Sequence, residues 1–308
     1  MKTIYPKPIK AGDTIGVIAP ASTPLMKNIE KSKHLYEKMG ISIVTSPHLT
    51  DGYGYLSAAD SHRVKALEDM FTNQDIAGIF CACGGYGTPR IVDQIDYQLI
   101  AKHPKVFWGY SDITCLHTAI HQETGLVTFH GPMMSSDLTG EIDSVTEQGL
   151  NQIVKPTPLM LTEQTEPLSI LQSGRVSGPF VGGNLTLLSS LVGSQYQLNA
   201  KGSILFIEEI EEEPYRIDRM LNQLRLAGIL DDASGFVIGN FNNCSPKKRH
   251  RSLALDEVFD HYLNQDGKPC MKGFSIGHCM PVYSVPYGAQ ATLDTEKKIV
   301  SIEPGVKE

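Results

Sequence analysis

The stretch KVFWGYSDITCLHTAIHQ, residues 105–122, joins a run of bulky apolar residues directly to a run with helical spacing. KVFWGY is typical of a buried strand, and the residues after Ser111 are typical of a helix. Units of this kind begin at residue 13, where TIGVIAP precedes the helix-like MKNIEKSKHLYEKMG. Alternating strands and helices indicate parallel pairing, because parallel neighbours need long crossover connections. Residues 1–155 are therefore predicted to form a parallel α/β domain.

A break in the pattern separates this region from the rest of the chain. Residues 156–175 lose the periodicity and contain three prolines, a composition typical of a linker between domains. Strand-like and helix-like runs resume at residue 176, among them the glycine-rich GPFVGGN and the strand-like SILFI. We predict a second domain over residues 176–308.

Charge and composition exclude several classes of protein. The formal net charge is -7 and KKRHR, residues 247–251, is the single basic cluster, which argues against a partner nucleic acid. The N-terminus lacks the apolar core of a signal peptide, and no run approaches the roughly 20 apolar residues that span a bilayer. Six scattered cysteines without a Cys-x-x-Cys pair predict buried thiols rather than disulfides. We expect a cytoplasmic protein without a membrane partner.

A glycine-rich turn lies at the end of one predicted strand, where ligands of open α/β sheets bind. ACGGYGTPR, residues 82–90, follows the strand-like GIFCA. Its glycines allow a tight turn whose N–H groups face an anion, either a phosphate or the oxyanion of an acyl-transfer reaction. The pattern matches neither G-x-G-x-x-G nor a P-loop, and a plain strand-to-helix turn also explains it.

Ser111 lies at a second strand end and admits two interpretations. As a helix N-cap it contributes about 1 kcal/mol by accepting a hydrogen bond from the first turn. As a nucleophile on a sharp turn it exposes its hydroxyl, while the N–H of Asp112 helps to hold the oxyanion. GYSD lacks the glycine two residues after the serine that the α/β-hydrolase motif requires. The local pattern favours the cap.

A serine nucleophile needs a base and a carboxylate that orients the base, and Glu208 and His278 end strands in the second half. Glu208 opens EEIEEE, a charge run typical of a solvated face, and a lone histidine is more often structural. His130, in TFHGP, is a reserve candidate for the base. HTAIH places His117 and His121 one helical turn apart, but no third ligand is evident, so no metal site is predicted.

Together these motifs and their order resemble the LD-carboxypeptidase family of serine peptidases, which also contains the microcin C immunity peptidases. The resemblance covers nearly the whole chain. The matching motifs are G-D-x-I-x-V-I-A-P-A from residue 12, GGYG-x-x-R at 84–90, GYSDIT at 109–114, TFHGP at 128–132, GGNL at 182–185, LFIEE and PYRIDRML between 205 and 221, and GH at 277–278.

The resemblance implies an α/β protein with an N-terminal parallel, flavodoxin-like domain and a C-terminal β-rich α/β domain. It implies that Ser111 is the nucleophile, His278 the general base, and Glu208 the residue that orients the base. The backbone N–H groups of Gly85 and Asp112 are expected to form the oxyanion hole. Neither a metal ion nor a cofactor is expected, and the resemblance suggests a homodimer.

The family's characteristic substrate is a muropeptide, the murein tetrapeptide, from which terminal D-alanine is removed at an L,D bond during cytosolic cell-wall recycling. Arg90 and Arg216 are candidates for binding the substrate carboxylate, although both also suit pairing with acidic side chains. Murein-recycling members carry Arg before GGYG and Trp before GGNL, where this chain has Cys83 and Val181. We interpret Cys83 as a small buried residue rather than a second nucleophile.

Two alternative functions stay open at this point. Because Cys83 and Val181 change the expected pocket, a peptidyl- or aminoacyl-nucleotide antibiotic is an alternative substrate for the same chemistry. The alternative without catalysis is an anion-binding α/β protein in which GGYG holds a phosphate and Ser111 only caps a helix.

Overall fold

The computed structural model describes residues 2–247 and 251–308, so residues 248–250 of the basic run KKRHR lie outside the described residues. Its strands, in chain order, are β1 (Thr14–Ile18), β2 (Ser42–Thr45), β3 (Ile76–Cys81), β4 (Val106–Gly109), β5 (Thr128–His130), β6 (Leu159–Leu161), β7 (Ser169–Gln172), β8 (Arg175–Asn184), β9 (Ile204–Ile210), β10 (Gly235–Asn242), β11 (Cys270–Lys272), β12 (Val285–Tyr287), β13 (Gln290–Asp294) and β14 (Ile299–Ile302).

The α-helices are α1 (Met26–Glu37), α2 (Asp60–Thr72), α3 (Tyr97–Lys102), α4 (Thr114–Thr124), α5 (Ser144–Asn151), α6 (Leu185–Ser190), α7 (Pro214–Leu226), α8 (Ile229–Asp232) and α9 (Leu255–Leu263). Short 3₁₀ helices lie at Thr88–Arg90, Val92–Gln94 and Ser111–Ile113. In the described ranges, no helix combines the length and the apolar character needed to cross a membrane.

The first sheet consists mainly of parallel strands in the order β2-β1-β3-β4-β5. Strand β12 is added antiparallel at the β5 edge. Successive residues of β4 point to opposite faces, since Trp108 joins a core cluster with α1 and Phe107 joins a cluster with α2 and α4. Both faces are therefore covered by helices, and the strand order is the flavodoxin-like one. The predicted parallel α/β architecture is confirmed.

Trp108 fixes the end of β4 directly before the turn that carries Ser111. Its side chain is fully buried, and its ring centroid lies 5.6 Å from that of Phe80 and 5.6 Å from that of Phe129. Its indole Nε1 donates a hydrogen bond to the carbonyl oxygen of Pro132 at 2.8 Å. Removal of a buried aromatic ring costs about 3–5 kcal/mol, so the end of this strand is firmly held.

The second sheet contains eight strands in the order β6-β14-β13-β8-β9-β10-β11-β7. Its central strands β8 to β11 are parallel, and the strands on either side of them are antiparallel. The first six residues of β9 are buried, including two glutamates. The predicted β-rich architecture of the C-terminal half is confirmed.

The limits of the two units differ from the predicted ranges. One unit comprises Met1–Thr157, Ser284–Gly288 and Pro304–Glu308, and the other comprises Pro158–Tyr283 and Ala289–Glu303. The predicted linker, residues 156–175, contains β6 and β7, which are the two edge strands of the second sheet. Short edge strands flanked by prolines are too brief for a periodic pattern. Strand β12 returns to the first unit by pairing with β5, a long-range contact that no local pattern encodes.

Candidate active site

Ser111 begins the turn between β4 and α4, and its backbone lies in the left-handed region. Its φ angle is 63°, and it is the first residue of the 3₁₀ helix Ser111–Ile113. A residue other than glycine in this region costs about 1–3 kcal/mol, and such strain is typical of the nucleophile on a strand-to-helix elbow. The N-cap interpretation is wrong, because the residues at the N-cap positions are Tyr110 and Ile113.

The glycine turn after β3 lies directly against Ser111. A Cβ atom at Gly84 would lie 3.0 Å from the Cβ and 3.2 Å from the Oγ of Ser111, and 3.5 Å from the amide nitrogen of Asp112. Contacts this short leave almost no room for a side chain, so glycine is what allows the two turns to meet. The structure thus brings the turn that contains Gly85 next to the predicted nucleophile and to Asp112.

Ser22 and Arg63 hold the glycine turn from the other side. The N–H of Ser22 donates to the carbonyl oxygen of Gly84 at 3.2 Å, and Ser22 Oγ accepts from the N–H of Tyr86 at 3.2 Å. Arg63 is 2% exposed, and its Nη1 donates to the carbonyl oxygen of Gly87 at 2.9 Å. The backbone donors of this turn therefore have a fixed direction before any ligand binds.

The side chain of Asp112 ties the nucleophile turn to the glycine turn. Its Oδ2 accepts a hydrogen bond from the N–H of Thr88 at 2.8 Å, and Thr88 Oγ1 donates to the Asp112 carbonyl oxygen at 2.6 Å. Asp112 is 1% exposed, and burial raises the pKa of its carboxyl to about 6. From sequence, the acidic side chain after Ser111 suggested only a favourable helix start, whereas the structure shows that it joins two turns.

Glu208 and His278 are hydrogen-bonded to each other in the second unit. His278 Nδ1 lies 2.7 Å from Glu208 Oε2, and Glu208 is fully buried in β9. A Cβ atom at Gly277, whose φ angle is 101°, would lie 2.6 Å from both Cβ and Cγ of Glu208, so a glycine must precede His278. A carboxylate at Nδ1 fixes the tautomer of the ring and makes Nε2 the proton acceptor.

Glu209, which was not among the residues predicted from sequence, anchors the carboxyl end of β9 through hydrogen bonds to Asn184 and Thr186. It is 2% exposed, and its oxygens accept hydrogen bonds from Asn184 Nδ2 and from the N–H and Oγ1 of Thr186. Burial is the main cause that raises the pKa of its carboxyl. The charge run EEIEEE is therefore a solvated face only in its later part, where Glu211 is exposed. Asn184 of GGNL could have indicated a buried glutamate from sequence, because a side-chain amide can donate a hydrogen bond to a carboxylate.

Of the other candidate histidines, His117 and His130 are buried in the first unit and His121 is partly buried. His117 contacts Thr128 Oγ1 and the carbonyl oxygen of Gly109, each at 2.8 Å, and burial lowers the pKa of its imidazole to about 4. His121 Nδ1 lies 3.1 Å from the carbonyl oxygen of Leu126. These contacts identify HTAIH as a structural pair. His130 is 1% exposed and packs against Tyr110, so it is a poor candidate for the base.

The remaining candidates have protein partners. Cys83 Sγ donates to the carbonyl oxygen of Ser22 at 3.2 Å, and burial raises the pKa of its thiol to about 12, which disfavours a thiolate nucleophile. Arg90 binds Asp60 through Nε and Nη2, and Arg216 Nη1 lies 3.2 Å from Glu212 Oε2.

Val181 is 3% exposed and lies opposite Leu205 in the second sheet. Val181 therefore belongs to the core of the second unit. It occupies, within strand β8, the position before GGNL where the family resemblance predicts a tryptophan.

The strain at Ser111 predicts an unusual order of stability for two variants. Ser111→Gly and Ser111→Ala remove the same hydroxyl, but only glycine adopts a φ angle of 63° without steric cost. The free energy of unfolding is expected to be about 1 kcal/mol higher for Ser111→Gly than for Ser111→Ala. Denaturant unfolding of both variants measures this difference.

Ser61, exposed in the first turn of α2, is the matched control for these variants. There the order is expected to reverse, with the alanine variant more stable than the glycine variant by about 0.5–1 kcal/mol. Equal or greater stability of the alanine variant at position 111 would contradict a strained turn.

Burial of Asp112 predicts a pH-dependent contribution to stability. Because its pKa is raised from 3.8 to about 6, the folded chain keeps a proton that the unfolded chain releases between these pH values. This residue therefore lowers stability progressively as pH rises from about 4 to about 6. Asp112→Asn removes this titration. The free energy of unfolding of the variant minus that of the wild type is therefore expected to increase by roughly 2–3 kcal/mol between about pH 4 and about pH 6.

Urea unfolding of both proteins at several pH values tests this expectation. The exposed Asp93→Asn variant is the control, and its stability is expected to follow that of the wild type. A constant difference between Asp112→Asn and the wild type would show that the buried carboxyl does not titrate in this range.

Comparison with known proteins covers both units. Family models of the LD-carboxypeptidase N-terminal domain and C-terminal domain match residues 15–131 and 177–293. A probable murein peptide carboxypeptidase of Bacillus subtilis is 47% identical over 304 residues, which cover 98% of this chain and 95% of that protein. The microcin C7 self-immunity protein MccF of Escherichia coli is 28% identical, with coverage of 96% of this chain and 94% of that protein.

Among solved structures, the muramoyltetrapeptide carboxypeptidase of Oxalobacter formigenes matches with a TM-score of 0.84 and 27% sequence identity. The match covers 96% of this chain and 100% of that one. Both family models, the extent of identity and the shared fold agree with the resemblance of the sequence motifs. The chain belongs to the LD-carboxypeptidase family and is a serine-type carboxypeptidase.

Proposed function

We propose that this enzyme hydrolyses the L,D peptide bond of murein tetrapeptides and releases terminal D-alanine, with Ser111, His278 and Glu208 as its catalytic triad. The observation that carries the proposal is the left-handed Ser111 packed against the glycine turn. The hydrogen bond between His278 and Glu208 supplies the second argument. The names of the relatives in Bacillus subtilis and Oxalobacter formigenes support a murein peptide as the substrate.

In the first step, Ser111 Oγ attacks the carbonyl carbon of the L-residue that precedes D-alanine. His278 Nε2 accepts the hydroxyl proton, and its Nδ1–H remains bonded to Glu208, whose negative charge stabilises the imidazolium. The carbonyl oxygen becomes an oxyanion, and the N–H groups of Gly85 and Asp112 stabilise it. Loss of one such donor costs about 10²–10³-fold in rate in other serine hydrolases.

In the second step, the tetrahedral intermediate collapses to an acyl-enzyme on Ser111. His278 returns the proton to the amine of D-alanine, which leaves. A water molecule then attacks the acyl carbonyl while His278 accepts its proton. Collapse of this second tetrahedral intermediate breaks the bond to Ser111 Oγ, which takes the proton from His278 as the shortened peptide leaves. The same oxyanion donors act in both steps, because both pass through a tetrahedral centre at the same carbon.

We also propose that the enzyme acts in the cytoplasm and as a homodimer. The six cysteines form no disulfide, which fits a reducing compartment. Symmetric dimers are the commonest oligomers of soluble enzymes, and the resemblance of the sequence to its family suggests the same assembly.

A second candidate substrate is a peptidyl- or aminoacyl-nucleotide antibiotic, cleaved by the same residues. The observation that favours it is the relative in Escherichia coli, which is named a self-immunity protein against microcin C7. Cys83 and Val181 stand where the resemblance predicts Arg and Trp, so this chain lacks two residues expected in a murein-recycling enzyme. Competition between a muropeptide and a peptidyl-nucleotide in one assay distinguishes these substrates.

The proposal predicts release of D-alanine from a murein tetrapeptide by the wild type and almost none by Ser111→Ala. We expect kcat to fall by about 10⁴-fold or more with little change in binding of the tetrapeptide, because the hydroxyl reacts but contributes little to recognition. Enzymatic detection of D-alanine measures the rate, and calorimetric titration of the variant measures the affinity.

Two controls sharpen this assay. Ser61→Ala removes an exposed serine of the same unit and is expected to keep the full rate. A tetrapeptide that ends in L-alanine is expected to resist hydrolysis, because the proposed specificity is for an L,D bond. Absence of D-alanine release by the wild type, together with cleavage of a peptidyl-nucleotide, would favour the second substrate. A Ser111→Ala variant that keeps most of its rate would contradict the triad.

A further inference from the structure

Two histidines and one aspartate converge on the surface of the first unit. His48 Nδ1 lies 2.7 Å from Asp51 Oδ2, and His62 Nδ1 lies 3.4 Å from the same oxygen. One donor atom from each of the three residues lies within 4.8 Å of the other two. Among residues 2–247 and 251–308, this is the one such group of three histidine, cysteine or acidic side chains.

The cluster is formed by two segments of the chain. His48 and Asp51 lie three residues apart in the connection after β2, and His62 lies in the first turn of α2. The two imidazole rings are stacked, with centroids 4.1 Å apart and planes inclined by 22°. This stacking turns both Nδ1 atoms toward one carboxylate, so the three side chains share one donor centre.

An ion pair alone explains this arrangement poorly. The side chains of His48, Asp51 and His62 are 33%, 41% and 48% exposed, and ion pairs at this exposure contribute at most about 1 kcal/mol. A single divalent cation bound between these side chains would instead accept a lone pair from both nitrogens and from the carboxylate at once.

We propose that His48, Asp51 and His62 bind a divalent transition-metal ion of the Zn²⁺ type, with water as the remaining ligand. Two imidazole nitrogens and one carboxylate oxygen form a donor set that suits Zn²⁺, whereas Ca²⁺ and Mg²⁺ prefer oxygen ligands alone. Bonds of about 2.0–2.2 Å require the present contacts to adjust slightly. The exposure of all three side chains permits this adjustment.

The ion has a structural role in this proposal, because the residues between its ligands contact the glycine turn. Tyr55 packs against Tyr86 with ring centroids 5.7 Å apart. A Cβ atom at Gly87 would lie 2.7 Å from Leu56 Cδ2. An ion that joins His48 and Asp51 to His62 closes the loop formed by residues 49–61. Closure restricts the motion of Tyr55 and Leu56, which contact the glycine turn.

Isothermal titration of the metal-free full chain with ZnCl₂ tests the proposal. The wild type is expected to bind one equivalent, and His48→Asn, Asp51→Asn and His62→Asn are each expected to weaken binding by about tenfold or more. Zinc is expected to raise the Tm of the wild type but not of the His48→Asn/His62→Asn double variant. His261→Asn, which removes an exposed histidine outside the cluster, is the control and is expected to behave as the wild type.

Without zinc, the variants are expected to unfold like the wild type within about 0.5 kcal/mol, since the replaced side chains are partly exposed. This comparison separates loss of the ion from loss of the fold. Unchanged zinc affinity in the double variant would assign binding to other groups, such as the thiols, and would overturn the proposal. Absence of saturable binding by the wild type up to about 1 mM zinc would overturn it as well. Neither result depends on peptide hydrolysis, so the triad is tested separately.

Discussion

The left-handed backbone of Ser111 is the constraint around which the candidate active site is organised. A serine keeps a φ angle of 63° only where its surroundings leave no relaxed alternative. Trp108 fixes the strand before it, and Thr88 fixes Asp112 after it through two hydrogen bonds. Gly84 then brings a second turn within contact of the serine side chain. This conformation places the Ser111 hydroxyl beside the glycine turn and the amide of Asp112, which suits the nucleophile and the oxyanion donors that we propose.

Two neighbouring carboxylates, Glu208 and Glu209, are buried in strand β9 of the second unit. A buried charge is costly unless hydrogen bonds or an opposite charge compensate it. Glu209 is compensated by Asn184 and Thr186, which are fixed neutral donors. Glu208 instead is hydrogen-bonded to His278. Adjacent residues of one strand therefore differ, because Glu209 is held by neutral donors and Glu208 contacts the histidine that we propose as the general base.

The sequence predicted the parallel sheet and the position of Ser111, because buried strands and the helices between them leave strong local patterns. The role of Ser111 was not decidable locally. The hydrolase motif needs a glycine two positions later, where this chain has Ile113, and the close approach is supplied instead by Gly84 from the turn after β3. Resemblance to a family predicted a nucleophile at this position, where spacing alone favoured a cap.

Other features depend on contacts that are distant in sequence. Glu208 is buried because β9 is a central strand of the second sheet. The neighbouring glutamates predicted an exposed segment instead. The edge strands β6 and β7 are too short to give a pattern, and β12 pairs with a strand from the other half of the sequence. The convergence of His48 and His62 likewise depends on the path of a loop, which composition does not encode.

Covalent labelling tests most directly the central claim that Ser111 is a nucleophile activated by His278. A fluorophosphonate reacts with an activated serine, and peptide mass spectrometry identifies the modified residue. We predict one adduct on Ser111 in the wild type and a labelling rate reduced by about 10³-fold or more in His278→Ala, because the base is lost. An adduct on another residue, or equal labelling of Ser111 in the wild type and in His278→Ala, would contradict the claim.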